Sequence, residues 1–536
     1  TLLPVQQVWL GGDIVNLLTD PLLRVQTESD LEYLSLPALF ARLGKNEVRH
    51  LVGIQRHQSD AFHVFLCYLA GAVLARDGSS SPVQDECFWR EGLLKLAGNA
   101  GRDAWQLVSD DDTRPAFMQP PLAGDSRNPT SVMNAADELD LLPTAKNHDV
   151  KRKRADTAHA DTWLYALISL QTMSGFYGRG NQGISRMNRG YGNRPVVELI
   201  RDRMPGQRWV DAVTRLLEHR KRVLTEPFGY DPEGLVLIWI EPWDGNTSLE
   251  LARLDPFYIE VCRQVRLRGE GAVERAESYT SAQPRIAAKE LNGVVGDPWL
   301  PVDLKGIGEG KKASVRALTF PPGGITAEHM RRLIFEDELQ LCVLQKPQPH
   351  WKGNMWLSVS VLVRGEGVTD GFSEWEVQIP EQKTLSIFGA SAQKDALEKL
   401  GRDAIAYVAI MQNRVLKPAV FALALGAPQK LDLDDGFGIS AWSRSSRQFE
   451  SLWSTEFFPW LFSVPESFDE QEELHRWVEI LREHAVTVLK EAEDGSANRS
   501  GRQYHIRTEV RNRFWGAFYR NFTFMRGDHG AGSASS

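Results

Sequence analysis

Residues Gly175–Pro195 read GFYGRGNQGISRMNRGYGNRP, directly after Asp161–Met173, DTWLYALISLQTM. The earlier segment carries Trp163, Leu164, Leu167, Ile168 and Leu170 and reads as a buried apolar helix ended by Gly175. The later one holds Gly175, Gly178, Gly180, Gly183, Gly190 and Gly192 with Arg179, Arg186, Arg189 and Arg194, and no acid. Glycine lets backbone approach a ligand that a Cβ would hold off, and arginine supplies planar, permanently charged donors. Tyr177 and Tyr191 add flat faces. This make-up suits contacts to a polyanion; the competing reading is a flexible surface loop with solvated arginines. It is not a nucleotide phosphate loop, because it has no GxxxxGK[ST] and its glycines do not open a helix after a strand.

The surroundings of that loop extend the charge argument. The 536-residue chain carries a net charge of −8 with a pI near 5.9, so no global field draws it to nucleic acid. From Ala145 to Arg222, however, sixteen Lys or Arg face seven acids, a +9 island. It is a nucleic-acid footprint if the charges share a face, and a set of solvated or paired helix faces if they do not. The length suits two or more domains. The four cysteines, Cys67, Cys87, Cys262 and Cys342, form no CxxC pair. They suit buried thiols in a reducing, cytoplasmic setting, with no disulfide frame and no metal. No signal peptide or long apolar run is evident, so no membrane role is implied.

Along the chain, Val8–Val25 reads as a hairpin turning at Gly11-Gly12-Asp13, followed by a helix over Ser35–Leu43. Ser59 is placed to cap a helix with an apolar stripe of Phe62, Phe65, Leu66, Leu69 and Val73. Further helices are expected near Phe88–Leu96 and Trp209–Val223, with a solvated turn at Asp110–Asp112. The middle is strand-rich: Leu235–Ile240, Ser314–Phe320, and a hairpin of Met355–Val363 with Glu374–Ile379. Then come helices from Ser391 to Pro418, Ser443–Leu461, one opened by a Ser467/Glu470 capping box, and Gln503–Asn521. The expected class is α+β: a mixed α/β N-terminal domain with a β-rich middle over residues 1–385, a C-terminal four-helix bundle over 386–526, and a disordered tail at 527–536.

Several stretches, in this order, resemble the CasA family, the large subunit of the type I-E CRISPR surveillance complex Cascade. They are NLLTDPLLRV (Asn16–Val25), PAFMQPP (Pro115–Pro121), the glycine-arginine loop after a buried helix, GDPWLPV (Gly296–Val302), LVRGEGVTDG (Leu362–Gly371) and the helical C-terminal part. The resemblance spans nearly the whole chain. It implies a non-catalytic subunit, without cofactor, that recognises the PAM in double-stranded DNA through the minor groove. It also implies help in opening the duplex for guide RNA and in recruiting a helicase-nuclease for antiviral defence. On it, Gly175, Tyr177, Gly178, Arg179 and Gly180 form the reading tip, and one of Lys305, Lys311 and Lys312 also reaches the groove. One of Glu366, Val368, Thr369 and Asp370 wedges the duplex. Arg186, Arg189 and Arg194 contact phosphate. Lys146, Asn147, His148, Lys151, Arg152, Lys153 and Arg154 lie near the guide RNA. The implied partners are guide RNA, target duplex, the backbone, small and 5′-end-capping subunits, and the helicase-nuclease. Two departures stand out: Leu22 replaces a tryptophan common in the first motif, and Trp239–Arg268 holds only Cys262 where some members bind zinc through four cysteines.

Two rival readings come from other classes. His148-Asp149 matches the HD pair of metal phosphohydrolases, but such a site needs further ligands, and His159 and Asp161 are the only nearby additions. The second rival is a scaffold that holds subunits together without reading DNA.

Overall fold

The computed structural model describes residues 15–123, 128–140, 159–187, 192–270, 272–304, 315–365, 368–389, 392–495 and 503–529. The helices that matter here are α1 (Leu36–Gly44), α2 (Arg56–Asp77), α3 (Glu86–Ala97), α4 (Ala160–Met173), α5 (Pro205–Val223), α6 (Ala327–Phe335), α7 (Glu381–Phe388), α8 (Ala392–Ile410), α9 (Lys417–Ala424), α10 (Gly436–Ser463), α11 (Glu470–Gly495) and α12 (Gln503–Asn521). The strands are β1 (Leu23–Gln26), β2 (Leu31–Leu34), β3 (His50–Leu51), β4 (Ser131–Met133), β5 (Val196–Ile200), β6 (Leu235–Leu237), β7 (Leu254–Ile259), β8 (Gln264–Arg268), β9 (Arg275–Tyr279), β10 (Val302–Asp303), β11 (Arg316–Ala317), β12 (Leu339–Gln340), β13 (Met355–Gly365) and β14 (Val368–Ile379). They form small sheets ordered β2-β1-β3, β11-β10-β12, β14-β13-β5 and β4-β9-β8, with a parallel β6-β7 pair. The fold class is α+β.

The chain divides into two compact units: Thr1–Ile325 with Asp337–Glu376, and Thr326–Glu336 with Val377–Ser536. The split differs from the expected 385/386 boundary because α6 leaves the first stretch of sequence to join the second unit.

In the first unit α2 packs against α4 and α5. Phe62 of α2 meets Tyr165 of α4 edge-on at 5.0 Å, and Trp89 of α3 lies 5.0 Å from Phe40 and 5.8 Å from Trp209. Trp163, Leu164, Leu167 and Ile168 are all buried. Burying each such side chain contributes about 1.5–3 kcal/mol, so α4 is a fixed post rather than a surface helix. Gly71 lets β7 approach α2: a Cβ there would stand 2.8 Å from Phe257. Among the described helices α2 alone is long and apolar enough to cross a membrane, yet 78% of its apolar window is buried within the fold.

Several local expectations change. β1 pairs with β2 across Thr27–Asp30, so the described hairpin turns there; Gly11–Asp13 lies outside the described residues. The helix expected after Ser59 begins at Arg56, where Gln55 and Gln58 exchange capping bonds. Ser35 does cap α1, accepting from the Ala38 N–H. Leu235–Ile240 is strand only to Leu237 and then tightens into a 3-10 turn; in the expected strand Ser314–Phe320, whose first residue lies outside the described residues, residues 315–320 are strand only at Arg316–Ala317.

In the second unit α8 does not stop at Pro418. It passes through a π-helical turn, Met411–Leu416, into α9, where Pro418 sits in the first turn. A proline there forgoes an N–H that the turn does not need. Asp469, not Ser467, caps α11, accepting from the Gln471 and Glu472 N–H groups. The core stacks Trp460 on Trp477 at 4.7 Å, and the Trp477 indole donates to the Ala404 carbonyl.

Candidate nucleic-acid interface

The glycine loop leaves the end of α4, and that end is bolted in place. Gln171 is fully buried. Its amide donates to the Met118 and Arg263 carbonyls at 3.1 and 2.9 Å, and its oxygen accepts from the Arg263 N–H at 2.8 Å. The PAFMQPP stretch and the start of β8 are thereby tied to the loop's point of departure. Arg266 of β8 donates to the carbonyls of Ser109, Asp111, Arg114 and Gln119, and burial, opposed by Asp112, pushes its pKa down to about 10.

The loop then uses two kinds of residue for two jobs. Its near limb is locked inward. The Gly175 N–H and the Tyr177 hydroxyl both donate to the Asn193 side-chain carbonyl, at 3.2 and 3.1 Å. The Gly175 carbonyl accepts from Arg263, whose guanidinium lies 4.8 Å from the Tyr177 ring centroid. Gly175 and Tyr177, expected at the reading tip, are therefore struts, because their polar groups and a ring face are engaged within the fold.

The tip is Gly178–Asn181. The Asn181 N–H donates to the Gly178 carbonyl at 3.0 Å, closing a tight turn, and Gly180 at φ +87° takes the third position, which demands a positive φ. Gly178 has φ +104° and open space on its Cβ side. The Gly180 carbonyl accepts from the Ser281 N–H, so the turn leans on the strand end after β9. Arg179 and Asn181 are exposed. Among the described residues, the N–H groups of Gly178, Arg179 and Gly180 meet no acceptor. Three backbone donors thus stand at one projecting turn, two of them without side chains.

The far limb is anchored by charge. Arg186 and Arg194 are 2% and 3% exposed, so a phosphate cannot reach them, and the expected phosphate contacts are corrected to internal ones. Arg194 pairs with both Asp297 oxygens at 2.7 and 2.6 Å, and Tyr68 donates to the same carboxylate at 3.2 Å. Arg186 stacks 3.8 Å from the Tyr258 ring centroid, donates to the Tyr258 carbonyl and lies 3.3 Å from Glu260. Burial opposes the Asp297 charge, but Arg194 and Arg186 together outweigh it and hold its carboxyl below the usual range. Burial pushes the Glu260 carboxyl up, against Arg186. Asp297 belongs to GDPWLPV, so two of the stretches quoted from the sequence meet in one ion cluster.

The same pairing takes five further arginines of the basic island out of any free basic surface. Arg201 binds Asp211, Arg203 binds Glu376, Arg208 and Arg215 share Glu198, and Arg220 binds Asp255. Lys146–Arg154, Arg189, Lys305, Lys311, Lys312 and Glu366 lie outside the described residues. On either side of residues 141–158, which also lie outside the described residues, His57 and Gln58 of α2 hold buried Asp140, and Arg24 of β1 holds Asp161.

Directly after Arg194 the chain enters β5, which pairs antiparallel with β13 from Val196↔Ser360 to Ile200↔Trp356. β13 therefore runs on past the start of β5 for Val361–Gly365, about 17 Å at a strand's rise, toward the side from which the glycine loop arrives. Val368, Thr369 and Asp370 open the return strand β14, so the strands are longer and the connection shorter than expected. The flank of the lysine segment converges too. Gly293 abuts Ala317 of β11 on one side and the Arg186 and Met187 backbone on the other, where a Cβ would fall within 3.0 Å of each.

Cys67, His63 and Glu198 lie in line, with the thiol 3.6 Å from His63 and His63 3.4 Å from Glu198, but Cys67 is fully buried and burial pushes its thiol well up. Among the described residues no group of three His, Cys, Asp or Glu is arranged to hold a metal. Cys262 donates to the Leu170 carbonyl. Asn181, Asn193, Arg263, Glu260 and Asp297 escaped sequence reading; the only signal was that Asn181, Asn193 and Asp297 fall within quoted stretches.

No family model and no curated protein matches the sequence. Solved structures do. Thermobifida fusca Cse1 superposes with a TM-score of 0.61 over 96% of this chain and 98% of that one, at 14% identity. Cse1 from Acidimicrobium ferrooxidans gives 0.60 over 96% and 99%, at 14% identity. CasA from Thermus thermophilus gives 0.58 over 95% and 100%, at 16% identity. The chain has the CasA (Cse1) fold. Because the match is end to end, the CasA fold accounts for both units.

Proposed function

We propose that this chain is the non-catalytic large subunit of a type I-E RNA-guided surveillance complex, in which it reads a short motif beside the target in duplex DNA and helps part the strands. The observation that carries the reading is the tip turn, with three backbone N–H groups lacking internal acceptors and no Cβ at two of its positions. The minor groove is about 6 Å wide and lined by N3 and O2 acceptors on every base pair. A turn with glycine at two of its four positions enters it, and its N–H groups meet those acceptors. Because that pattern is degenerate, the subunit tolerates several motifs and leaves sequence discrimination to guide RNA pairing.

In this reading one of Lys305, Lys311 and Lys312 adds a cation to the groove, and Arg189 meets phosphate. The β13–β14 hairpin, projecting on the loop's side, inserts at the first base pairs through Glu366, Val368, Thr369 or Asp370. Lys146–Arg154 lies along the guide RNA. The other Cascade subunits and the helicase-nuclease are the remaining partners. The test is a randomised-motif duplex library presented to the reconstituted complex. Enrichment of a small set of related motifs, lost when the tip is changed, supports the reading; equal capture of all motifs refutes it.

A further inference from the structure

One cavity in the first unit lies behind the Gly293–Asp297 turn. It encloses about 190 Å³ between the end of α5, the Gly293–Asp297 turn and the Gln340–Lys346 segment. Its lining joins the apolar Val223, Phe228, Val295 and Leu300 to the polar His219 and Gln340 and to Asp297, whose carboxylate is already paired with Arg194. Its rim carries Arg222 and Lys346 as cations and Glu226 as an acid. Neither cation has a carboxylate within ion-pair distance among the described residues, in contrast to the paired arginines upstream on α5.

The arginine is aimed rather than loose. His219, 4% exposed, shares its Nε2 proton with the Gly296 carbonyl at 2.7 Å. With that proton on Nε2, its Nδ1 lone pair accepts from Arg222 at 3.3 Å. Arg222 also lies 3.6 Å from the Cys342 sulfur. One guanidinium N–H group is thus spent on the wall, and the remaining donors have no protein acceptor among the described residues. A cation held this way at the lip of a partly apolar cavity suits an anionic group whose body fills the interior. A cavity of about 150 Å³ already accepts a benzene ring.

From this geometry we propose that the cavity is a binding site for a small aromatic anion, its ring against Val223, Phe228, Val295 and Leu300 and its phosphate or carboxylate on Arg222 and Lys346. The neutral His219 positions Arg222, and Glu226 disfavours ligands of higher negative charge at the rim.

Cys342 makes the site testable, because it lines the cavity and is partly exposed while Cys67 and Cys262 are buried. In a Cys87→Ser background the full chain is treated with a thiol-reactive disulfide reagent, with phenyl phosphate, inorganic phosphate or benzyl alcohol present. Phenyl phosphate should slow Cys342 modification saturably, and saturation-transfer NMR should show its ring protons in contact with the chain. Arg222→Ala or Lys346→Ala should weaken it about tenfold each, the loss of one charge-assisted contact. Ala317→Trp, which fills the cavity from β11, should abolish the transfer. Absence of ring transfer to the native chain overturns the proposal. Equal protection by inorganic phosphate overturns the role of the ring, and equal protection by benzyl alcohol overturns that of the cations; either result refutes the site as stated.

Discussion

The tip turn makes a sharp prediction because its two positive-φ glycines differ in what surrounds them. At Gly178 the φ of +104° is closed to ordinary side chains, but a Cβ would touch nothing within 4 Å. Gly178→Asp therefore strains the backbone without any clash, by about 1–3 kcal/mol. A loop relieves such strain by re-forming, so the cost falls on the three N–H donors rather than on the fold. At a factor of ten per about 1.4 kcal/mol, affinity for motif-bearing duplex should drop by about 5- to 150-fold, and the added negative charge beside phosphate pushes toward the upper end. Gly180→Ala should do at least as much, since its φ is +87° and its Cβ would stand 2.6 Å from the Thr280 methyl. Gly229→Asp is the control: φ is +73°, nothing lies within 4 Å, and the residue is outside the loop. Fluorescence-anisotropy titration of the assembled complex at fixed salt measures all three, with the melting temperature of each chain alongside. Wild-type affinity in Gly178→Asp refutes the groove-reading assignment, as does an equal loss in Gly229→Asp.

Other consequences are accessible in solution. Asp297→Ala leaves Arg194 buried without its partner and should lower unfolding stability by about 3–5 kcal/mol in a urea titration, with Asp297→Asn milder because it still accepts a hydrogen bond. Burial lowers the pKa of His63 and of His219, so both contribute stability above their ordinary value of about 6.5 that is lost as pH falls below it. His219→Gln keeps a donor for Gly296 and should shrink the loss of stability between about pH 7 and 5, read by denaturant unfolding at each pH. Changing Lys151, Arg152, Lys153 and Arg154 together to alanine should weaken guide-RNA docking and flatten its salt dependence, by about 0.7 in slope for each phosphate contact removed. The isolated chain with divalent cations should leave nucleic acid intact, and cleavage abolished by His148→Ala would falsify the non-catalytic assignment.

What could be read from the sequence was what depends on near neighbours. An apolar run over Trp163–Leu170 followed by clustered glycines dictates a buried helix and then an open loop, and both are present. The hairpin of β13 and β14 followed from its alternation and its glycine-rich connection. Charge was the opposite case. Nothing local distinguishes exposed Arg179 from buried Arg186 and Arg194, because their partners Glu260 and Asp297 lie 74 and 103 residues away. An arginine's role is set by which carboxylate the fold brings to it, and that is a tertiary fact. Pro418 failed as a stop signal for a related reason: the π-turn at Met411–Leu416 shifts the register so that the ring falls where no N–H is missed. Asp469 outcompeted Ser467 as a cap because a carboxylate reaches two N–H groups at once.

The correction at Arg186 and Arg194 strengthens the functional argument. A loop made only of glycine and solvated arginine would lose much of its binding energy to ordering on contact with DNA. Here the ordering is done in advance. Gln171 fixes where the loop departs, Asn193 and Arg263 brace its near limb, and Asp297 with Glu260 holds its far limb through two buried guanidinium groups. The turn Gly178–Asn181 carries the three N–H groups without internal acceptors, and two of its four residues, Gly178 and Gly180, have no Cβ to obstruct a groove. The arginines thus hold the turn in place from within the protein, and on the proposed reading the contact itself falls to the backbone. It follows that Arg194→Lys, which keeps the charge but loses the planar guanidinium whose Nη2 meets both Asp297 oxygens, should reduce duplex affinity while leaving the preferred motif unchanged. A shift in motif preference in that variant would place Arg194 at the DNA and return the loop to the reading its composition first suggested.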